Sequence, residues 1–323
     1  MSRFRLAINS TVDVASIFNR QLDNTSVLSL GTGSISGFVD VIPLENIKLF
    51  SIKVDQPLAI FADRSCEKIL FSIDLKHSSS SDCLKVQGVS LSRAALFGFN
   101  SGLSQMDLLL PASSYMCCIA IPFDFFIKRL EKLNCTELQD VVDNFNVLAN
   151  SVVSGGLISL LTQCWDSSLP ISNEYLEDEI INTLLESLAD QSDRKIARVL
   201  NRQDRHQAAL DVLSTTYLTP TKAFEVQDLS DLLHQSRTSL FNGCKEKFGM
   251  SPVQVVRSVR LHQVRYALLD IEFCIENNLN GVIDTAEFFG FAGRSHFAKH
   301  YKNEFKETPR QTLSLRRKAE KVF

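Results

Sequence analysis

The feature that most constrains this chain is a segment that occurs twice. Residues 237–252 read RTSLFNGCKEKFGMSP, and residues 294–309, 57 positions later, read RSHFAKHYKNEFKETP. Arg237 aligns with Arg294, Leu240 with Phe297, Cys244 with Tyr301, Lys245 with Lys302, Phe248 with Phe305 and Pro252 with Pro309. The apolar members recur every four residues, the spacing of one buried stripe on a helix. A shorter amphipathic segment precedes each copy, at 228–234 and 283–289, and a turn separates the two parts. Gly290 supplies the second turn, and Ala286 is small enough to let the two helices approach. Two helices joined by a short turn, twice over, predict two helix-turn-helix units at about 228–248 and 283–305.

The side chains off the apolar stripe say what such units can touch. In the second copy Arg294, Ser295, His296 and Lys299 lie near the helix start. That end of a recognition helix meets base edges in the major groove of DNA. Arginine pairs bidentately with guanine, and serine and histidine donate or accept. The matching surface of the first copy is Arg237, Thr238, Phe241 and Asn242. There Asn242 suits adenine, and Phe241 suits either a thymine methyl group or the protein core. Residues 253–270 join the units as one helix, apolar along Val255, Val256, Val259, Val264, Leu268 and Leu269. Eighteen helical residues span roughly 27 Å, against about 34 Å for one turn of duplex. Such a helix can hold two readers in successive grooves. Lys245, Arg257, Arg260, Arg265, Lys302 and Arg310 are the expected phosphate contacts, which position without specifying.

Taken together these residues resemble the AraC family of bacterial transcription regulators. The carrying motifs are Ala286-x-x-x-Gly290-Phe291-x-x-x-Ser295-His296-Phe297, Phe305-x-x-Thr308-Pro309, Phe248-Gly249-x-Ser251-Pro252 and Arg260-Leu261. The resemblance covers about residues 204–315. It implies a DNA-binding domain of seven helices, with base-reading positions at Arg237, Thr238, Phe241, Asn242, Arg294, Ser295, His296 and Lys299. It also implies transcription activation as the commoner behaviour, with RNA polymerase as a partner. Lys306 departs from the pattern, standing where the family usually has glycine, as do the bulky Glu287-Phe288-Phe289 before the turn.

The first half reads differently. Short alternating runs at 34–42, 47–54, 58–62, 68–73, 94–99, 106–110 and 115–121 are separated by turn chemistry, which predicts a β-sandwich or small barrel. Helical runs follow at 123–133 and from 137 to about 164. Residues 166–170 read as a linker. Leu176, Ile180, Ile181, Leu184, Leu185 and Leu188 then make an amphipathic helix. The expected fold is α+β in two domains: a cupin-like barrel or sandwich with packed helices over 1–165, and an all-α double helix-turn-helix domain over 204–323. Between them, residues 166–203 form a linker and a helical segment. The family often uses such a barrel to bind an effector or to dimerise, so a homodimer through residues 166–190 and the barrel is expected, with a small-molecule effector possible.

Charge is distributed to match. From Thr221 onward 16 lysines and arginines face 12 carboxylates, whereas the preceding residues hold 18 against 25. A basic end on an acidic body suits an anionic partner at that end. A cupin metalloenzyme needs several histidines; residues 1–205 contain His77 alone. No nucleophile–base constellation appears, so neither catalysis nor a cofactor or metal is expected. The eight cysteines show no C-x-x-C spacing and read as reduced, structural thiols. With neither a signal sequence nor an apolar span, the expected location is the cytoplasm, at the nucleoid. One other class stays open: a regulator whose barrel binds a protein partner rather than a small molecule.

Overall fold

The structure is a computed structural model that describes residues 3–75, 84–91, 95–148, 151–166, 173–189, 194–195 and 204–319. The expected linker beyond Asp166, the loop holding His77, and Cys83 lie outside the described residues. Two antiparallel sheets form the N-terminal half. The larger runs β1 (Phe4–Ile8), β3 (Gly37–Pro43), β4 (Lys48–Val54), β11 (Ser114–Pro122), β6 (Lys68–Asp74), β9 (Leu96–Phe97), β12 (Val147–Leu148) and β13 (Arg194–Lys195). The smaller runs β2 (Asp23–Ser29), β5 (Leu58–Asp63), β10 (Gln105–Leu110), β7 (Leu84–Val86) and β8 (Val89–Leu91).

Strand β11 explains the layering. Its run Tyr115-Met116-Cys117-Cys118-Ile119-Ala120-Ile121 is apolar on both faces, as a strand covered on both sides must be. Met116, Cys118 and Ala120 point between the sheets, where they meet Phe50, Ile52, Ile60 and Leu108. Cys117, Ile119 and Ile121 point the other way, into a core shared with helices. The adjacent cysteines therefore face opposite sides, as alternation requires. Each described cysteine is a free thiol.

The outer face of the larger sheet is covered by α2 (Phe123–Lys132), α3 (Leu138–Asn144), α4 (Ser151–Asp166) and α5 (Asn173–Ala189), while α1 (Thr11–Phe18) packs beside β2. Here the structure corrects two expectations. The helix foreseen from 137 to 164 is broken by β12, which pairs with β9. The stripe Leu176, Ile180, Ile181, Leu184, Leu185 and Leu188 of α5 is buried in this chain's own core. The buried carboxylate of Glu177 accepts hydrogen bonds from the Asn46 backbone and side chain at 2.8 Å, tying α5 to the turn between β3 and β4. The stripe expected to make a dimer contact is thus already occupied.

The helices from Asp204 onward are α6 (Asp204–Leu218), α7 (Val226–Leu233), α8 (Arg237–Phe248), α9 (Pro252–Leu269), α10 (Ile271–Glu276), α11 (Val282–Phe288), α12 (Arg294–Phe305) and α13 (Pro309–Ala319). That is one short helix, α10, beyond the seven implied by resemblance. Its Phe273 stacks on Phe289 with ring centres 6.1 Å apart and meets Phe288 edge-on at 6.0 Å, so it packs against the bulky pair before the turn. The helical domain sits on the outer face of the smaller sheet. Leu28, Ala59 and Phe61 of that sheet share one core with Ala209, Leu213, Leu240 and Val256. Between the two halves Lys247 Nζ lies 2.6 Å from Asp107 Oδ2, Arg265 Nη1 donates to the Asn9 carbonyl at 2.8 Å, and the Gly33 N–H donates to the Glu304 carbonyl at 2.5 Å.

Candidate nucleic-acid interface

Each reading helix starts and stops for local reasons. Ser236 caps α8 by accepting from the Ser239 N–H, and Gly249 ends it at φ +70°. Ser251 and Gln254 form a reciprocal capping box at the start of α9, with Pro252 in the first turn, where its missing N–H costs nothing. The turn of the second unit needs Gly290 twice over. Its φ is +79°, and a Cβ there would stand 3.2 Å from Arg260 Nη1. As the repeat predicts, Phe297, Tyr301 and Phe305 are buried, together with Ala286 and with Leu261, Val264 and Leu268 of α9. The buried Tyr301 hydroxyl is satisfied by Thr312 Oγ1 at 2.8 Å.

The first turns of both reading helices face solvent. Arg237, Thr238, Ser295, His296 and Lys299 are exposed, and Asn242 is half-buried. Phe241 is 48% exposed, which decides between its two readings: it belongs to the surface. It borders an open concavity shared with Val226, Thr238, Pro252 and Val253. For Arg294 only the backbone place at the start of α12 is described. Of the phosphate candidates, Lys245, Lys302 and Arg310 are exposed. Arg257 is half-buried, its Nη1 3.2 Å from His300 Nε2 between α9 and α12. Burial, then the charges of Arg257, His296 and Lys299, hold the His300 imidazole below its ordinary value. Burial contributes most to that depression and the neighbouring cations add to it.

Two arginines of α9 leave the set. Arg260 is 5% exposed, with its guanidinium 5.7 Å from the centre of the Phe224 ring. Arg265 is buried against Glu307 at 3.2 Å and the Asn9 carbonyl. Amphipathic spacing placed both on the outer side of α9. That side is covered by the N-terminal domain and by the neighbouring helices, which periodicity within one helix does not report.

Sequence reasoning also missed where the two domains grip one another. Lys247 and Glu304 occupy equivalent positions of the repeat, each in the last turn of its reading helix, and each bonds to the N-terminal domain. Because the grip is at the far end, both first turns stay open.

Two such units on one connecting helix define a double helix-turn-helix domain. A family described as a helix-turn-helix domain matches residues 229–314. Regulatory protein HrpB of Ralstonia nicotianae is 41% identical over 69 residues, 21% of this chain and 14% of that protein. The HTH-type transcriptional activator RhaS of Yersinia pestis is 31% identical over 114 residues, 35% of this chain and 38% of RhaS. The chain thus spans less than two thirds of the length of these relatives. Among solved structures, the AraC-like transcriptional activator CuxR overlaps 82% of this chain and 96% of its own at 12% identity and a TM-score of 0.40. ToxT from Vibrio cholerae overlaps 97% and 98% at 14% identity and a TM-score of 0.31. The similarity to these regulators is confined to the C-terminal helices, where the double helix-turn-helix lies.

Proposed function

We propose that the whole chain is a sequence-specific DNA-binding transcription regulator of the AraC type, acting as an activator. Its N-terminal domain senses a signal and alters how the two reading helices are presented. The observation that carries this reading is the duplicated unit, with exposed polar first turns on both α8 and α12 and a single continuous helix, α9, between them. Arg237, Thr238, Phe241, Asn242, Arg294, Ser295, His296 and Lys299 read bases in this proposal, while Lys245, Arg257, Lys302 and Arg310 hold phosphates. Contact with RNA polymerase follows from the role of an activator. In this reading a homodimer uses a surface other than the α5 stripe, which is buried in this chain's own core.

The test is selection of duplexes from a random pool by the full chain, followed by gel shifts at two salt concentrations. The expected product is a two-part site with its parts about one helical turn apart. Binding that does not distinguish the selected duplex from random DNA would refute the proposal.

A further inference from the structure

The start of α8 is braced from α7. Arg237 Nε donates to Gln227 Oε1 at 2.5 Å, and Gln227 Nε2 donates to Asp231 Oδ1 at 2.6 Å. Gln227 and Asp231 stand four residues apart on α7, the spacing at which helical side chains meet. A capping box between Glu225 and Asp228 fixes the first turn of α7, so the glutamine rises from an anchored base. Chemistry sets the order of donors along this chain of bonds. A carboxylate accepts and does not donate, so Asp231 takes the amide nitrogen and turns the amide oxygen toward Arg237.

The bond to Nε leaves a defined remainder. A guanidinium carries five N–H donors in a rigid fork. With Nε engaged, those on Nη1 and Nη2 remain, and they have no partner among the described residues. These two nitrogens are the pair that meets guanine O6 and N7 when the fork approaches end-on. Arg237, Gln227 and Asp231 are all exposed, so it is these bonds and not packing that hold the arginine.

We propose that Gln227 and Asp231 are positioning residues for base readout, holding Arg237 ready to pair end-on with a guanine in the major groove. An arginine on a free surface gives up much of its rotamer entropy on docking; one held in advance gives up less. A held fork also cannot turn to follow a wrong base, so the brace sharpens specificity as well as affinity. The second unit is built differently: its α11 reads VIDTAEF, with no glutamine or asparagine. The inference deepens the DNA-reading role proposed above and rests on it.

The full chain is tested on the selected duplex and on random duplex. Arg237→Ala is expected to abolish guanine preference at one position of the selected site and to cost about tenfold in affinity. Replacing that guanine by 7-deazaguanine, which lacks the N7 acceptor, should weaken the parent and leave Arg237→Ala unchanged. Gln227→Leu should lose about three- to tenfold on the selected duplex, with guanine preference relaxed at the same position and random-duplex binding retained. Asp231→Ala should give a smaller loss of the same kind. Adding Gln227→Leu to Arg237→Ala should change nothing further, since the arginine it holds is gone. The paired change Gln227→Glu with Asp231→Gln keeps an acceptor before Arg237 and a donor behind it, and should restore most of the preference. If the parent does not distinguish the selected duplex, the DNA-reading role itself fails. If it does, the brace is overturned when Arg237→Ala keeps every guanine preference, or when Gln227→Leu keeps full preference at that guanine. It is overturned equally when Gln227→Leu weakens both duplexes alike or its effect persists without Arg237. A melting temperature of Gln227→Leu far below the parent overturns it too, because an exposed amide that only orients Arg237 carries little stability.

Discussion

Asp107→Asn is the most informative single change in the domain interface. Asp107 and Lys247 meet at 2.6 Å with side chains 9% and 7% exposed, so neither can exchange its partner for water. The amide would leave the Lys247 ammonium buried beside a neutral group. Removing one member of a buried pair costs about 3–5 kcal/mol, because the remaining charge is stranded rather than because the pair is intrinsically strong. Replacing both at once, as Asp107→Leu with Lys247→Met, strands nothing and should fall within about 1 kcal/mol of the parent, or above it. The assay is urea unfolding of the parent, Asp107→Leu, Lys247→Met and the double variant, read as a double-mutant cycle, with Asp107→Asn measured beside them. A coupling of about 3 kcal/mol is expected for residues in direct contact. Coupling under about 0.5 kcal/mol, the scatter of non-interacting sites, would show that the pair does not hold the domains together.

Three further outcomes follow from the described geometry. His296→Ala should weaken binding to the selected duplex by about 1–3 kcal/mol and relax base preference at one position, while Lys302→Ala should weaken all sequences alike and reduce the salt slope by about one; competition gel shifts at several salt concentrations separate the two. His262 is buried on α9, where burial holds its imidazole below the ordinary value against the opposing pull of Glu304 at 3.7 Å. The unfolded chain takes up that proton near pH 6.5 and the native one does not, so stability should fall as pH drops below about 6.5; urea midpoints in His262→Leu should lose this part of the slope. Lys306 ends α12 at φ +60°, a conformation that glycine adopts without strain, so Lys306→Gly should raise stability by about 0.5–1 kcal/mol in thermal unfolding.

The repeat was legible because its spacing is long and its apolar positions recur at helical period. Both copies fold as that pattern requires, with Leu240, Cys244 and Phe248 buried in one and Phe297, Tyr301 and Phe305 in the other. The strands at Lys48–Val54, Leu58–Asp63 and Lys68–Asp74 were equally plain, since β-branched and aromatic runs end at clear turns. What escaped was contact between segments. A two-residue strand such as Val147–Leu148 carries no period of its own, and an apolar stretch can continue a helix as readily as pair with β9. The stripe on α5 stated that something covers it, but not that the cover is this chain's own sheet. Arg260 looked like a surface charge because nothing near it in sequence announces the Phe224 ring it lies over. Of the site, the exposed first turns could be read; the grip on the last turns could not, because Asp107 and Gly33 lie far back along the chain.

That grip falls on matching positions of the two copies, Lys247 in one and Glu304 in the other. The β-sandwich therefore acts as a jig: it fixes the separation and twist of two probes by holding each by its heel. Inserting one base pair between the two parts of a target site displaces and rotates one half relative to the other. A jig cannot follow that change without letting go of one heel, so intolerance of spacing and the strength of the interdomain bonds are two measures of a single mechanical property.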